Sequence, residues 1–323
     1  MDLPGSLKEK IEEKAAGCSQ AKLVEAAQAI SLRYRKESGR GTRLLTEDLE
    51  ALAYAIARMP ATFGAVCTAL GHSLGHTSAP IRSVLDVGAG TGAACWAVRE
   101  CCPEASQFTC LEREKAMSRL GAELMTADEV LKNANWVRQD LAGSEITHRA
   151  DLVMESYALN ELSDSVREKV ILELWDAADQ MLLLIEPGTP VGFSHLKKAR
   201  SLLLEKGGHV VAPCPHAGEC PLPEDDWCQF TCRVSRSRLQ KALKGGESPF
   251  EDEKFSFLAV SKAPVQTPAG RILRHPAKGS GPIGLRLCTA EQIRDITVTK
   301  KNGALYKLAR KAEAGDAFPA DEL

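Results

Sequence analysis

Apolar positions change their rhythm along this chain, and the changes mark its regions. Residues 6–37 and 46–70 keep helical spacing, with Leu23, Ala26, Ala27, Ile30 and Tyr34 recurring at three- and four-residue steps. Thr46-Glu47-Asp48-Leu49-Glu50 predicts a capped start for the second helix, and Gly39-Arg40-Gly41 separates the two. Pro60 is expected to interrupt or restart the second helix, because it lacks an N–H and crowds the preceding turn. A helical region over residues 1–80 follows.

From residue 83 short apolar runs alternate with helical segments. Strands are predicted at Ser83–Val87, Gln107–Leu111, Trp136–Arg138, Asp151–Met154 and Met181–Ile185. Helices are predicted at 93–102, 114–132 and 164–179. Alternation with short links implies an α/β fold with a doubly wound, mostly parallel sheet. This Rossmann-like core spans 81–210 after the helix at 193–206, and a strand at Phe255–Ser261 assigns 250–262 to it. Residues 211–249 and 263–323 form a cysteine-bearing region. Its stretch 208–228 holds four prolines and three cysteines, cannot build a core and needs something else to order it; a metal centre is the expected candidate. Ile296–Thr299 and Leu305–Leu308 around Asn302-Gly303 predict a C-terminal hairpin.

Composition narrows the class. The chain has 323 residues, 44% hydrophobic and 26% charged, the balance of a globular protein of one or two domains. No apolar run is long enough to span a membrane. Met1–Lys14 is charged and lacks an apolar stretch, so no secretory signal is expected. Eleven cysteines suit a reducing cytosol as free thiols, and Cys18, Cys67, Cys95, Cys101, Cys102 and Cys110 read as small buried hydrophobes. A net charge of −2 gives no global nucleic-acid signal, so RNA binding must come from local patches.

The clearest motif is Asp86-x-Gly88-x-Gly90-x-Gly92, between a strand and a helix. Its glycines permit a sharp turn that brings backbone N–H groups against a ligand. Glu112, at the end of the next strand, can accept both hydroxyls of a ribose. Asp140, after the third strand, is placed for an adenine amino group. The acidic residue in the strand before the loop favours S-adenosylmethionine over NAD(P). After the fourth strand runs Glu155-Ser156-Tyr157-Ala158-Leu159-Asn160, without the Asn/Asp-Pro-Pro-aromatic tetrad of amino-methylating enzymes. Glu155, Tyr157 and Asn160 are the candidate substrate-pocket and catalytic residues, with Glu155 also a candidate cofactor contact.

The cysteine spacing is Cys214-x5-Cys220-x7-Cys228-x59-Cys288, with Cys232 as an alternative ligand. It contains neither the C-x2-C of zinc ribbons nor C-x3-C-x2-C, because position 235 is Ser. Four thiolates can hold a 4Fe–4S cluster or a zinc ion; the spacing leaves iron–sulfur, zinc and uncommitted thiols open.

Several stretches carry a resemblance. They are Cys214-Pro215-His216-Ala217-Gly218-Glu219-Cys220-Pro221-Leu222, Trp227-Cys228-Gln229-Phe230, Phe250–Phe257, Ser31–Arg35 and Arg58-Met59-Pro60-Ala61-Thr62. Together they resemble the methyltransferase-like family of the mitochondrial ribosomal small subunit and its bacterial relatives. The resemblance implies a class I methyltransferase fold and association with small-subunit rRNA, or a precursor of the small subunit, during assembly. It also implies a 4Fe–4S cluster on Cys214, Cys220, Cys228 and Cys288, with Cys232 an extra thiol. The compartment it implies is the cytoplasm of a bacterium or the mitochondrial matrix of a eukaryote, the cytoplasm being favoured. A monomer is expected.

Four basic clusters are candidates for phosphate binding: Arg33, Arg35, Lys36, Arg40 and Arg43; Lys197, Lys198 and Arg200; Arg233, Arg236, Arg238, Lys241 and Lys244; and Arg271, Arg274, His275 and Lys278. Three functional readings follow: an S-adenosylmethionine-dependent rRNA methyltransferase, a non-catalytic assembly factor on the same fold, and a small-molecule methyltransferase with structural zinc. Intact loop glycines favour the first over the second. The absent tetrad favours the second, and the basic clusters count against the third.

Overall fold

The computed structural model describes residues 1–37, 47–76 and 79–322. Helices α1 (Gly5–Ala16), α2 (Gln20–Glu37) and α3 (Asp48–Ser73) lead the chain, so the first predicted helix is two, broken at Gly17. The separator Gly39-Arg40-Gly41 lies outside the described residues. Helix α3 opens on a capping box between Glu47 and Glu50 and, against expectation, runs through Pro60 without a break. It is buried over most of its surface, with all of Ala51–Met59 but Tyr54 and Arg58 before Pro60, and all of Ala61–Leu70 but Thr68 after it, packed inside. That burial outweighs the roughly 3 kcal/mol an interior proline costs.

The core follows in the predicted order: β1 (Ser83–Val87), α4 (Ala93–Cys101), β2 (Gln107–Glu112), α5 (Lys115–Met125), β3 (Asn135–Arg138), β4 (Ala150–Ser156), α6 (Asp164–Ala177), β5 (Ala178–Pro187) and α7 (Pro190–Glu205). After it come β6 (His209–Ala212), β7 (Phe230–Ser235), α8 (Arg238–Lys244) and β8 (Phe250–Ser261). The large sheet has the order β3-β2-β1-β4-β5-β8-β6, parallel from β3 to β5 and antiparallel at β8. This is the class I methyltransferase arrangement of a Rossmann-like sheet. The first half of β8 pairs with β7, from Phe230↔Phe255 to Ser235↔Phe250. Residues 230–244, grouped by sequence with the cysteine region, therefore extend the large sheet and pack on α2 and α3. Gly64 of α3 sits tightly against Val234 and Cys232, where a Cβ would lie 2.6 Å from Val234 Cγ1.

A second sheet is built from β9 (Gly270–Ile272), β10 (Ala277–Lys278), β11 (Ile283–Thr289), β12 (Ile293–Val298) and β13 (Ala317–Phe318), with α9 (Ala304–Lys311) on it. Ile272, Ile283, Leu285, Leu287, Val298, Leu305, Ala309 and Phe318 form its own core. The expected hairpin around Asn302-Gly303 is absent. Thr299 and Asn302 make a capping box over a single 3-10 turn, and Leu305–Leu308 lies in α9. The actual hairpin is β11–β12, and Cys288 lies in it opposite Ile293.

Candidate functional site

At the C-terminal ends of β1, β2 and β4 lies a cavity of about 740 Å³, roofed by α2, α3 and α8. Gly88, Gly90, Glu112, Asp140, Ser156, Tyr157 and Asn160 line it. Asp86, Gly92 and Glu155 do not; all three stand behind its wall. Gly92, at φ +82°, leaves room that a Cβ would take from Met125, at 2.5 Å. The loop N–H groups differ from expectation, because they are committed inside the chain. Gly88 and Ala89 donate to Leu111 O (2.9 and 3.0 Å), and Gly92 donates to Ala89 O (2.7 Å). Gly90 donates to Glu112 Oε2 (2.8 Å), while Glu114 N–H reaches Glu112 Oε1 (2.7 Å). Glu112 thus ties the loop to β2 while facing the cavity. Burial raises its pKa and those two N–H groups oppose the rise.

Behind the wall, Asp86 is fully buried, with the Cys95 thiol 3.5 Å from Oδ2 and no partner at Oδ1. Burial pushes its pKa up to about 7. Glu155 is equally buried and accepts from the N–H groups of Ala158 and Leu159, so it shapes the turn after β4 and is no cavity group. Burial and the neighbouring Glu186 both hold its carboxyl well above the usual range. Tyr157 adopts φ +65°, rare for a side chain of this size. That turn aims its hydroxyl at Glu253 Oε1 (3.2 Å), which also receives Arg58 Nη2 (3.1 Å). Sequence reasoning missed Glu253, Arg58 and Glu186. Arg58 opened one of the resembling stretches and Glu253 lies inside another, and Glu186 is the penultimate residue of β5 as Asp86 is of β1.

The second candidate site lies between the two sheets. Cys214, Cys220, Cys228 and Cys288 line one small cavity of about 50 Å³, together with His216 and Arg200. Cys232 is not among them; it faces Gly64 of α3. No group of three or more His, Cys, Asp or Glu among the described residues lies at single-ion geometry. His216 Nε2 is 3.6 Å from Cys288 Sγ. Burial raises the pKa of Cys214, Cys228 and Cys288, the last to about 12.

Guanidinium groups order the proline-rich loop. Arg200 Nη2 donates to His216 O (2.7 Å), and Arg271 donates to Pro213 O (2.8 Å) and Gly315 O (2.9 Å). Asp226 accepts from both Arg274 and Arg286 (3.1 Å for the latter), and Trp227 Nε1 donates to Gly188 O (3.0 Å). Arg200 and Arg271 are therefore internal, and the half-buried Arg274 is engaged by Asp226 and Trp227 O, so none of the three is a free surface phosphate ligand. The third cluster is partly neutralised too: Arg233 pairs with Asp252, and Arg236 and Lys244 with Glu251. Of the first, Arg33 pairs with Glu50, while Arg40 and Arg43 lie outside the described residues.

Fold and sites together define a methyltransferase-fold protein with a cysteine-lined second unit. The family described as mitochondrial small ribosomal subunit Rsm22 matches residues 48–319, and the chain belongs to that family. The ribosome assembly protein METTL17, mitochondrial, of Homo sapiens is 28% identical over 301 residues, covering 85% of this chain and 63% of its own length. The Rsm22-cox11 tandem protein 2, mitochondrial, of Schizosaccharomyces pombe is 24% identical over 351 residues, covering 92% of this chain and 46% of its own. The chain thus spans less than two thirds of either relative. Among solved structures, magnesium protoporphyrin IX methyltransferase from Synechocystis PCC 6803 with bound SAH superimposes at TM-score 0.41, with 16% identity over 72% of this chain and 93% of its own. The plantazolicin methyltransferase BpumL with SAH gives TM-score 0.42, with 12% identity over 80% and 100%. Likeness at this level says nothing of ligand or reaction.

Proposed function

We propose that this chain is an S-adenosylmethionine-binding, methyltransferase-like factor that acts on or assembles the small ribosomal subunit. The single observation that carries the reading is that the family match runs through both the loop cavity and the cysteine cavity. The cofactor would lie along Gly88 and Gly90, with Glu112 at its ribose and Asp140 near its adenine. Asp86 and Gly92 would shape the loop from behind. Tyr157 and Asn160 are the candidate groups at the transferred methyl; Glu155 holds their turn. The relatives' names place those proteins in mitochondria, which favours the mitochondrial compartment over the cytoplasm first expected.

A 4Fe–4S cluster on Cys214, Cys220, Cys228 and Cys288 belongs to this reading. The donor set is all thiol, spread around a cavity rather than closed to single-ion distance. Three buried nitrogens beside it, Arg200 Nε, Arg271 Nη2 and His216 Nδ1, have no partner. The two unpartnered guanidinium nitrogens, of Arg200 and Arg271, beside four thiols fit an anionic occupant. Bound there, the cluster would cross-link the loop to the second sheet.

Anaerobic purification with iron, sulfide and zinc counted per chain tests the cluster, and calorimetric titration with S-adenosylmethionine tests the cavity. About four irons and four sulfides are expected. One zinc without sulfide sinks the cluster reading, and absent heat sinks the cofactor reading. The non-catalytic form is favoured by the internal commitment of Glu155, and methylation of small-subunit precursors by the purified chain decides it.

A further inference from the structure

The three-residue turn Lys300–Asn302 and helix α9 make a basic face that none of the predicted clusters included. Lys300, Lys301, Lys307, Arg310 and Lys311 are all exposed. Between Ile296 and Ala312 the sequence has these five cations and no acidic residue, in a chain whose net charge is −2. Asp295, the last acid before the stretch, is taken by Arg286. None of the five is in an ion pair among the described residues, whereas the cations predicted to bind phosphate are largely paired or buried.

Geometry concentrates the charge. Leu305, Ala309 and Ala312 turn inward onto the second sheet's core. Lys307, Arg310 and Lys311 then share the outer face at spacings of three and four residues. Like charges at those spacings destabilise a helix by about 0.2–0.5 kcal/mol per pair, so an eight-residue helix carrying them gains from an anionic partner.

We propose that this face binds the phosphate backbone of duplex RNA. The proposal rests on the ribosomal reading above for its choice of RNA. Only backbone recognition fits: the one aromatic ring on the helix, Tyr306, is half-buried and its hydroxyl donates to Gly281 O (2.9 Å), so no base can stack there. A membrane surface fits poorly, because the helix has already buried its apolar side and leaves Leu308 as its one exposed large apolar side chain. Charge without hydrogen-bond readout predicts shape recognition of a helix, independent of base sequence.

The test uses the full chain and a fluorescent RNA duplex of about 16 base pairs, the span of a compact duplex-binding module. Affinity is measured from about 50 to 200 mM salt. The wild-type chain is compared with a variant carrying Lys300→Gln, Lys301→Gln, Lys307→Gln, Arg310→Gln and Lys311→Gln, and with a control carrying Lys197→Gln and Lys198→Gln. Each cation lost should flatten log K against log salt by about 0.7–0.9, hence about 3.5–4.5 for five. Affinity at low salt should fall by on the order of a hundredfold, with an unchanged melting temperature and no effect in the control. Exchanging each cation for the other basic residue (Lys→Arg, Arg→Lys) should restore binding. A quintuple variant that keeps the wild-type slope overturns this face while leaving RNA binding elsewhere intact. A wild-type chain that ignores duplex RNA but binds acidic vesicles overturns the proposal in favour of a membrane, with the cofactor and cluster measurements unaffected.

Discussion

Arg271→Met should loosen the junction between the two sheets, by an amount the structure allows to be worked out. The guanidinium is 3% exposed and donates to two carbonyls, Pro213 O and Gly315 O. Leaving two buried carbonyls unpaired costs about 1–3 kcal/mol each. Methionine fills much of the same volume and removes the unpartnered Nη2, which returns part of that cost. The expected net is about 3 kcal/mol, felt locally. The amides of Ile272 and Gly315 bond within the second sheet, on either side of Arg271 (2.9 Å to Asp316 O and 2.7 Å to Ile272 O), and report on loosening of the sheet edge that the guanidinium ties to Pro213. At about 1.4 kcal/mol per decade, their hydrogen exchange should quicken by roughly a hundredfold. Arg271→Lys keeps the charge but reaches one carbonyl, and should quicken exchange by about tenfold. A change below about threefold for Arg271→Met would mean that the guanidinium does not hold this junction.

Other outcomes follow from positions already described. Gly88→Ala places a Cβ at φ +73° and 2.6 Å from Ala158 Cβ, so calorimetry should show S-adenosylmethionine binding lost at a stability cost of about 1–3 kcal/mol. Asp86 has its folded pKa raised from 3.8 to about 7, so the folded state holds that proton more tightly and stability falls as pH rises between those values; Asp86→Asn should flatten denaturant midpoints over that window, and an unaltered slope would count against the assignment. Cys232→Ser should leave iron content unchanged while Cys228→Ser lowers it, because Cys232 packs against α3 and Cys228 lines the shared cavity; equal loss in both would refute the ligand assignment.

The α/β core was legible because its strands are short apolar runs separated by glycine, proline and acidic turns, signals local to each segment. The glycine loop, Glu112 and Asp140 were legible for the same reason, since motif and register lie within some 55 residues. Local signals misled where context overrode them. Pro60 breaks an isolated helix, yet burial on both sides carries α3 through it. Asn302-Gly303 reads as a hairpin turn, but the Thr299–Asn302 box closes first and Leu305, Ala309 and Ala312 then keep helical spacing. Partners were not legible at all. Whether Arg271 meets phosphate or a carbonyl depends on Gly315, 44 positions away, and nothing near Glu253 announces Arg58, 195 positions earlier.

Helix α3 has a consequence for how the chain is made. Its surface is almost wholly apolar, and it docks onto α4, β7 and β8, with Arg58 reaching Glu253 and Gly64 seated on Val234. Strand β8 ends at Ser261, roughly 190 residues after the helix is complete, which at about 5–20 residues per second is some 10–40 seconds of synthesis. Throughout that interval the nascent chain carries a finished hydrophobic rod with part of its seat unwritten. A chaperone that shelters apolar segments early in translation should therefore raise the yield of folded protein, an effect that synthesis with and without one would measure.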